Sequence, residues 1–227
     1  MSRACRVPVR VIRNATEFSY LDSRVKIEAV REKYGIGRHE NLLLFLSRIS
    51  VGYKNIDFLL ESLKLLHDEG FPFFLVMAGD GPDLEWVKRT VERCGMKNQV
   101  LFTGMISDQE EREAVYQLCD LFVFPSYKDT AGLVKFEAAS QKKPTLCLEN
   151  TAVSEEILDG VNGYTSAHSP RAYADAVRRA LADRESLKSV GEEAYRTLAR
   201  DWSMAAAECL ARYEALRRDA ASKKGNI

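Results

Sequence analysis

Histidine and cysteine are scarce in this 227-residue chain, and no excess of charge of either sign exists. The three histidines, His39, His67 and His168, stand far apart with no ligand spacing, which argues against a structural zinc site and gives no metal ligands to name. Cys5, Cys94, Cys119, Cys147 and Cys209 contain no CxxC pair, so reduced thiols in a cytosolic protein are expected rather than a disulfide framework. Lys+Arg and Asp+Glu both number 33. A zero net charge excludes the broad basic field on which nucleic-acid binders rely. No apolar run approaches the ~20 residues that span a bilayer, and the opening residues carry no signal-peptide pattern. GxGxxG is missing too, which tells against a nicotinamide-dinucleotide reading. A soluble, cytoplasmic protein is expected.

What is present is ordinary in amount and ordered in pattern. Hydrophobic residues make up 46% and charged residues 29% of the chain, enough for one buried core. Short apolar runs at Val9–Ile12, Leu42–Leu46, Phe73–Met77, Val100–Phe102, Leu121–Phe124 and Thr145–Leu148 read as strands. Between them Ile56, Leu59, Leu60, Leu63 and Leu66, and again Leu84, Val87 and Val91, recur at helical spacing. Strands apolar on both faces and separated by helices predict a doubly wound, parallel, Rossmann-like α/β sheet. Pro82 stands near a first helical position, and Ser107 is an N-cap candidate with Glu110 at capping-box distance. Gly160, Asn162 and Gly163 punctuate a turn before a short strand at Tyr164–Thr165. Helical patterns then cover Arg171–Ala182, Ser186–Arg200 and Ser203–Arg218. The expected organisation is one domain over residues 1–202, a helical annex over 203–221 and a tail over 222–227.

In an open parallel sheet ligands bind beyond the carboxyl ends of the strands, so the loops there hold the candidates. Arg48 ends one strand and Lys54 opens the next helix, where a bound anion would let both cations and the helix dipole act together. From spacing alone, two solvated surface cations are an equal reading. Gly79-Asp80-Gly81 could let backbone approach a ligand, or simply make a strand-to-helix turn. Met105 and Ile106 lie in a loop whose main chain could meet a flat base edge, or that simply turns a strand into a helix, which the local pattern favours. Asp129 and Glu137 bracket a loop that becomes a helix, with small Thr130, Ala131 and Gly132 and then Leu133 at the helix start, leaving N–H groups for a phosphate. Standing alone, Asp129 would be N-cap-like and Glu137 a surface helix residue.

Together these segments resemble the C-terminal half of family 4 of the retaining GT-B glycosyltransferases, from about Pro8 to Tyr213. The resemblance comprises Arg48 and Lys54, Ala78-Gly79-Asp80-Gly81-Pro82, Val100-Leu101-Phe102-Thr103-Gly104, Asp129 with Glu137, Lys143-Pro144, and Glu156-Ile157-Leu158-Asp159-Gly160-Val161-Asn162-Gly163. It implies transfer of a hexose from a UDP- or GDP-sugar to an acceptor hydroxyl with retained configuration and no metal. Arg48 and Lys54 would neutralise the donor diphosphate, Asp129 hold the transferred sugar, and Glu137 the ribose hydroxyls. Backbone at Ala131, Gly132 and Leu133 would donate beside the sugar, and Met105 and Ile106 would hold the base. Three departures stand out: Asp129 replaces the usual Glu, Thr130-Ala131-Gly132 replaces Gly-Phe-Gly, and the Arg48-to-Lys54 spacing is one residue longer than the commonest form. The resemblance also implies that the acceptor, a glycan or lipid, binds a missing N-terminal domain or partner subunit. The complete enzyme could then associate peripherally with the inner membrane face. Residues Ser203–Arg218 resemble the helix that packs back across the domain boundary, with Met204, Leu210 and Leu216 as its apolar stripe. The alternatives are a non-catalytic nucleotide-sugar-binding module and, more remotely, an unrelated nucleotide-binding regulator or oxidoreductase.

Overall fold

Continuous apolar runs become the centre of a parallel sheet. The computed structural model describes residues 9–20, 24–130 and 132–224, with side chains described through residue 218. The strands are β1 Leu42–Leu46, β2 Phe74–Ala78, β3 Val100–Gly104, β4 Leu121–Phe124, β5 Thr145–Leu148 and β6 Tyr164–Ser166, all parallel in the order β3-β2-β1-β4-β5-β6. Every residue of β4 and β5 is buried, as a strand covered by helices on both faces requires.

The helices are α1 Arg24–Tyr34, α2 Val51–Lys54, α3 Ile56–Asp68, α4 Leu84–Arg93, α5 Gln109–Leu118, α6 Leu133–Ser140, α7 Pro170–Leu181, α8 Arg184–Leu198 and α9 Trp202–Lys224. Packing groups α3 with α4 and α7, and α1 with α5, α6 and α8. In α3, Ile56, Leu59, Leu63 and Leu66 are wholly buried, each contributing roughly 1.5–3 kcal/mol. The fold class is therefore the expected doubly wound α/β sheet.

Several boundaries differ from expectation. Val9–Ile12 forms no strand: Val9 and Val11 are exposed, and the chain joins the body from Arg13 onward, where Arg13 pairs with Glu156 (2.9 Å) and the Thr16 N–H donates to the Arg200 carbonyl (2.9 Å). The N-cap of α5 is Asp108, not Ser107; its Oδ1 accepts the Glu111 N–H at 2.9 Å. Pro82 lies in the turn before α4, which begins two residues later. Residues 222–224, assigned to a tail, are still helical, and 225–227 lie outside the described residues.

Helix α9 exposes Trp202, Met204, Leu210, Tyr213 and Leu216. At roughly 100° per residue, steps of six residues scatter Met204, Leu210 and Leu216 around the axis. They form no stripe. The face that lines up is Trp202, Cys209, Tyr213 and Leu216.

The topology sets one position apart. From β1 the chain winds outward to β3, then returns to place β4 on the other side of β1. The loops after β1 and β4 therefore diverge, opening a crevice at the carboxyl edge of the sheet.

Candidate functional site

Two neighbouring regions hold most of the candidates. The first is a cavity of about 770 Å³ between the loops after β1, β2 and β3. Arg48, Gly79, Asp80, Met105 and Ile106 all line it, so five residues chosen from separate loops converge there. Met105 is exposed and Ile106 buried, so the wall presents one exposed apolar side chain above a buried one.

The glycines are required by the protein's own backbone. A Cβ on Gly79 would stand 1.9 Å from the Ser47 carbonyl oxygen, and one on Gly81 would stand 2.2 Å from that of Ile49. The turn after β2 is thereby pressed against the loop after β1. The Ser47 N–H donates to the Ala78 carbonyl (3.1 Å) and the Ile49 N–H to the Asp80 carbonyl (2.9 Å). That contact holds the backbone on either side of Arg48, while the Asp80 carboxylate turns back to its neighbour's Gly81 N–H (2.7 Å).

The second region is the β1/β4 crevice. Asn55, in the left-handed conformation (φ 57°), breaks the helix after one turn, so Lys54 ends α2 instead of opening α3. Asn55 also donates through Nδ2 to the Pro125 carbonyl (3.2 Å), and Ser126 Oγ donates to the Tyr53 carbonyl (2.9 Å). These bonds clamp the loop after β4 onto α2. Lys54 Nζ meets Asp129 Oδ2 at 2.5 Å and lies 5.2 Å from the centre of the Phe124 ring. The second Asp129 oxygen accepts the Gly132 N–H at 2.7 Å. Lys54 therefore lies outside the lining of the Arg48 cavity, and the Gly132 N–H expected to meet a phosphate is engaged by Asp129. Gly132, with φ 54°, takes the cap position of α6, where Asp129 was expected as the cap-like residue. Thr130 and Leu133 are exposed at this helix start, and Ala131 lies outside the described residues.

Glu137 lies more than one turn inside α6, as expected. It is not a plain surface residue. The Tyr116 hydroxyl donates to its Oε2 at 2.9 Å, and burial raises its pKa above the ordinary carboxylate value. The Tyr116 bond and the positive charge of Arg112 oppose that rise.

The profile of the family described as "Glycosyl transferases group 1" matches residues 26–197. The chain belongs to this family. It is similar to alpha-D-kanosaminyltransferase of Streptomyces kanamyceticus, 28% identical over 193 residues, covering 84% of this chain and 49% of that one. The fold matches the crystal structure of Anabaena HepE in complex with UDP and glucose, with a TM-score of 0.75 at 20% identity, covering 90% of this chain and 56% of that one. It also matches the C-terminal domain of a group 1 family protein from Francisella tularensis, with a TM-score of 0.66 at 21% identity, covering 79% of this chain and 93% of that one. The architecture is that of the C-terminal half of a GT-B glycosyltransferase. The chain spans about half the length of the kanosaminyltransferase.

Two residues of this group 1 glycosyltransferase chain escaped the sequence reading. Arg112 lines the cavity and donates through Nη1 to the carbonyls of Ser107 (2.8 Å) and Ile106 (3.3 Å), with its guanidinium 5.4 Å from the centre of the Phe18 ring. In the run Glu110-Glu111-Arg112-Glu113 it looks like one charge on a solvated face. Asp83 accepts the Val51 N–H at 2.8 Å, occupying the first donor of α2. Its signal was the Gly-Asp-Gly-Pro turn just before it.

Proposed function

We propose that this chain is the donor-binding half of a retaining hexosyltransferase of family 4 that uses a UDP- or GDP-sugar. The observation that carries the reading is the convergence of Arg48, Met105 and Ile106 on one cavity next to the crevice that holds Lys54 and Asp129. A flat base fits against the Met105–Ile106 wall, a diphosphate against the cations, and the sugar against Asp129 and the α6 start. In this reading Glu137 takes the ribose diol.

In the transfer, the bond from the anomeric carbon to the diphosphate oxygen breaks and its electron pair leaves on the nucleotide. The acceptor hydroxyl passes its proton to the departing diphosphate oxygen, and its oxygen bonds to the anomeric carbon on the same face of the sugar. Charge grows on the departing phosphate, where preorganised cations stabilise the transition state most. Arg48 and Lys54 would supply that charge in place of a metal ion. HepE, crystallised with UDP and glucose, supports a uridine nucleotide as the first donor to test.

The acceptor, a glycan or lipid, would be held by an N-terminal half or partner subunit. The α9 face of Trp202, Tyr213 and Leu216, with half-buried Cys209 between them, is the surface that would receive it, because exposed aromatic and aliphatic side chains at helical spacing suit a covered interface. The assembled enzyme would work in the cytoplasm, against the inner membrane face if its acceptor is a lipid.

Calorimetric titration with uridine and guanosine diphosphates and their sugar conjugates tests the donor reading. Lys54→Ala is expected to weaken binding; unchanged affinity would refute the assignment. A second reading keeps the same pocket in a donor-binding module without catalysis. Supplying the N-terminal half and measuring sugar transfer separates the two, since only the enzyme gains turnover.

A further inference from the structure

We infer that Tyr116 and Arg112, one turn apart on α5, are positioning residues that aim Glu137 at the donor ribose and tie it to the base-facing loop. The inference rests on the donor reading above and adds two residues that no family motif supplied.

The geometry is a short chain of contacts. The Tyr116 side chain is wholly buried, packed edge-on against Phe18 and Phe122, so its hydroxyl has a fixed position. That hydroxyl donates to Glu137 Oε2 at 2.9 Å and so fixes the carboxylate by one oxygen; in this inference Oε1 takes the ribose diol. Four residues earlier on the same helix face, Arg112 holds the Ile106 and Ser107 carbonyls and lines the cavity. Helix α5 thus carries both the anchor of the ribose carboxylate and the anchor of the base loop. A nucleoside that fits one is placed for the other.

A carboxylate that accepts a sugar diol must be ionised, and burial works against this. The groups acting on Glu137 are Tyr116 and Arg112 of α5, which favour ionisation, and Glu17 of the segment before α1, which disfavours it. Arg112 also faces Glu17 at 3.7 Å, so losing Arg112 removes one favourable charge and uncovers an unfavourable one. Burial keeps the carboxyl above its ordinary value even so. Donor affinity should accordingly fall as pH drops through that raised value, and either substitution should move this acid limb to higher pH.

The test is calorimetry of the full chain between pH 5 and 8 with three probes: uridine diphosphate, its 2′,3′-dideoxy analogue, and inorganic pyrophosphate. Tyr116→Phe keeps the ring packing and is expected to bind uridine diphosphate about tenfold more weakly, the size of one charge-assisted hydrogen bond, with pyrophosphate and the dideoxy analogue unchanged. Arg112→Gln should weaken uridine diphosphate and raise the acid limb, and Arg112→Lys should bring the limb back. Arg112 is only partly buried, so its variants report even if Tyr116→Phe fails to fold. Equal losses for uridine diphosphate and the dideoxy analogue, with the limb unmoved, would overturn the inference and leave the donor reading intact. A parent protein that binds neither uridine nor guanosine diphosphate overturns the donor reading, and this inference with it.

Discussion

Replacing Asp129 by Asn should make the protein bind a nucleoside diphosphate more tightly while spoiling its grip on the nucleotide sugar. Without ligand, Lys54 is neutralised by Asp129 at 2.5 Å, with 20% and 18% of the two side chains exposed. A diphosphate recruiting Lys54 must compete with that carboxylate and tolerate its charge. An exposed pair is worth about 0.5 kcal/mol, and breaking a fully buried one costs about 3–5 kcal/mol. This partly buried pair falls between, at roughly 1–2 kcal/mol, which converts to about five- to thirtyfold in affinity. Asn keeps an oxygen to accept the Gly132 N–H, so the α6 start should hold its shape. The assay is calorimetric titration of parent and Asp129→Asn with uridine diphosphate, guanosine diphosphate and the corresponding sugar conjugates. The diphosphates should gain and the conjugates should not, because the sugar loses its carboxylate. Diphosphate affinity that is equal or lower in Asp129→Asn would refute the competition. It would mean that Lys54 serves the loop after β4 and not the donor.

Three further outcomes follow from the same structure. Glu137 has a folded pKa raised by burial, so the folded state binds the extra proton and stability falls as pH rises from the ordinary carboxylate value through the raised one. Glu137→Gln should therefore melt higher than the parent at neutral pH, with the advantage vanishing in acid below the ordinary carboxylate value; a lower melting temperature at neutral pH contradicts the burial argument. Gly81→Ala drives a methyl against the Ile49 carbonyl and should cost at least ~2 kcal/mol in urea unfolding, whereas Gly52→Ala, with open space at its Cβ, should shift stability by less than ~1 kcal/mol. Buried Asn162 accepts the Leu158 N–H (2.7 Å) and donates to the Glu156 carbonyl (3.1 Å) and Thr197 Oγ1 (3.0 Å), so Asn162→Ala should cost roughly 2–4 kcal/mol; a melt unchanged within a degree would show that water replaces these bonds.

Much of the sheet could be read from the chain because its central strands are apolar on both faces. β1, β4 and β5 coincide with the runs Leu42–Leu46, Leu121–Phe124 and Thr145–Leu148. β3 runs on through Thr103 and Gly104, past its apolar run, because the register shifts between Met77 and Ala78 to pair Ala78 with Gly104. Val9–Ile12 has the composition of a strand but finds no partner, and composition cannot report a partner. α1 was missed for the opposite reason. Its sequence is dominated by charge and buries only Val30, and it is held against α5 by pairs such as Lys33 with Glu111, which no local pattern announces.

The candidate site divides along the same line. Residues that mark strand ends were legible, and Arg48, Asp80, Met105 and Ile106 do meet in one cavity. Which group faces which was not. Lys54 and Asp129 are 75 residues apart, and only the switch in strand order at β1 brings their loops together. The left-handed Asn55 ends α2 at Lys54, which pairs with Asp129 and is not among the residues that line the cavity with Arg48. Two cations six residues apart in sequence thus serve different walls of the crevice. A ligand that uses both must be long enough to reach from the β1–β3 cavity to the start of α6. A diphosphate with a base at one end and a sugar at the other has that shape, whereas a lone phosphate could engage one cation only. Inorganic phosphate should accordingly bind far more weakly than pyrophosphate, and the gap should close in Lys54→Ala.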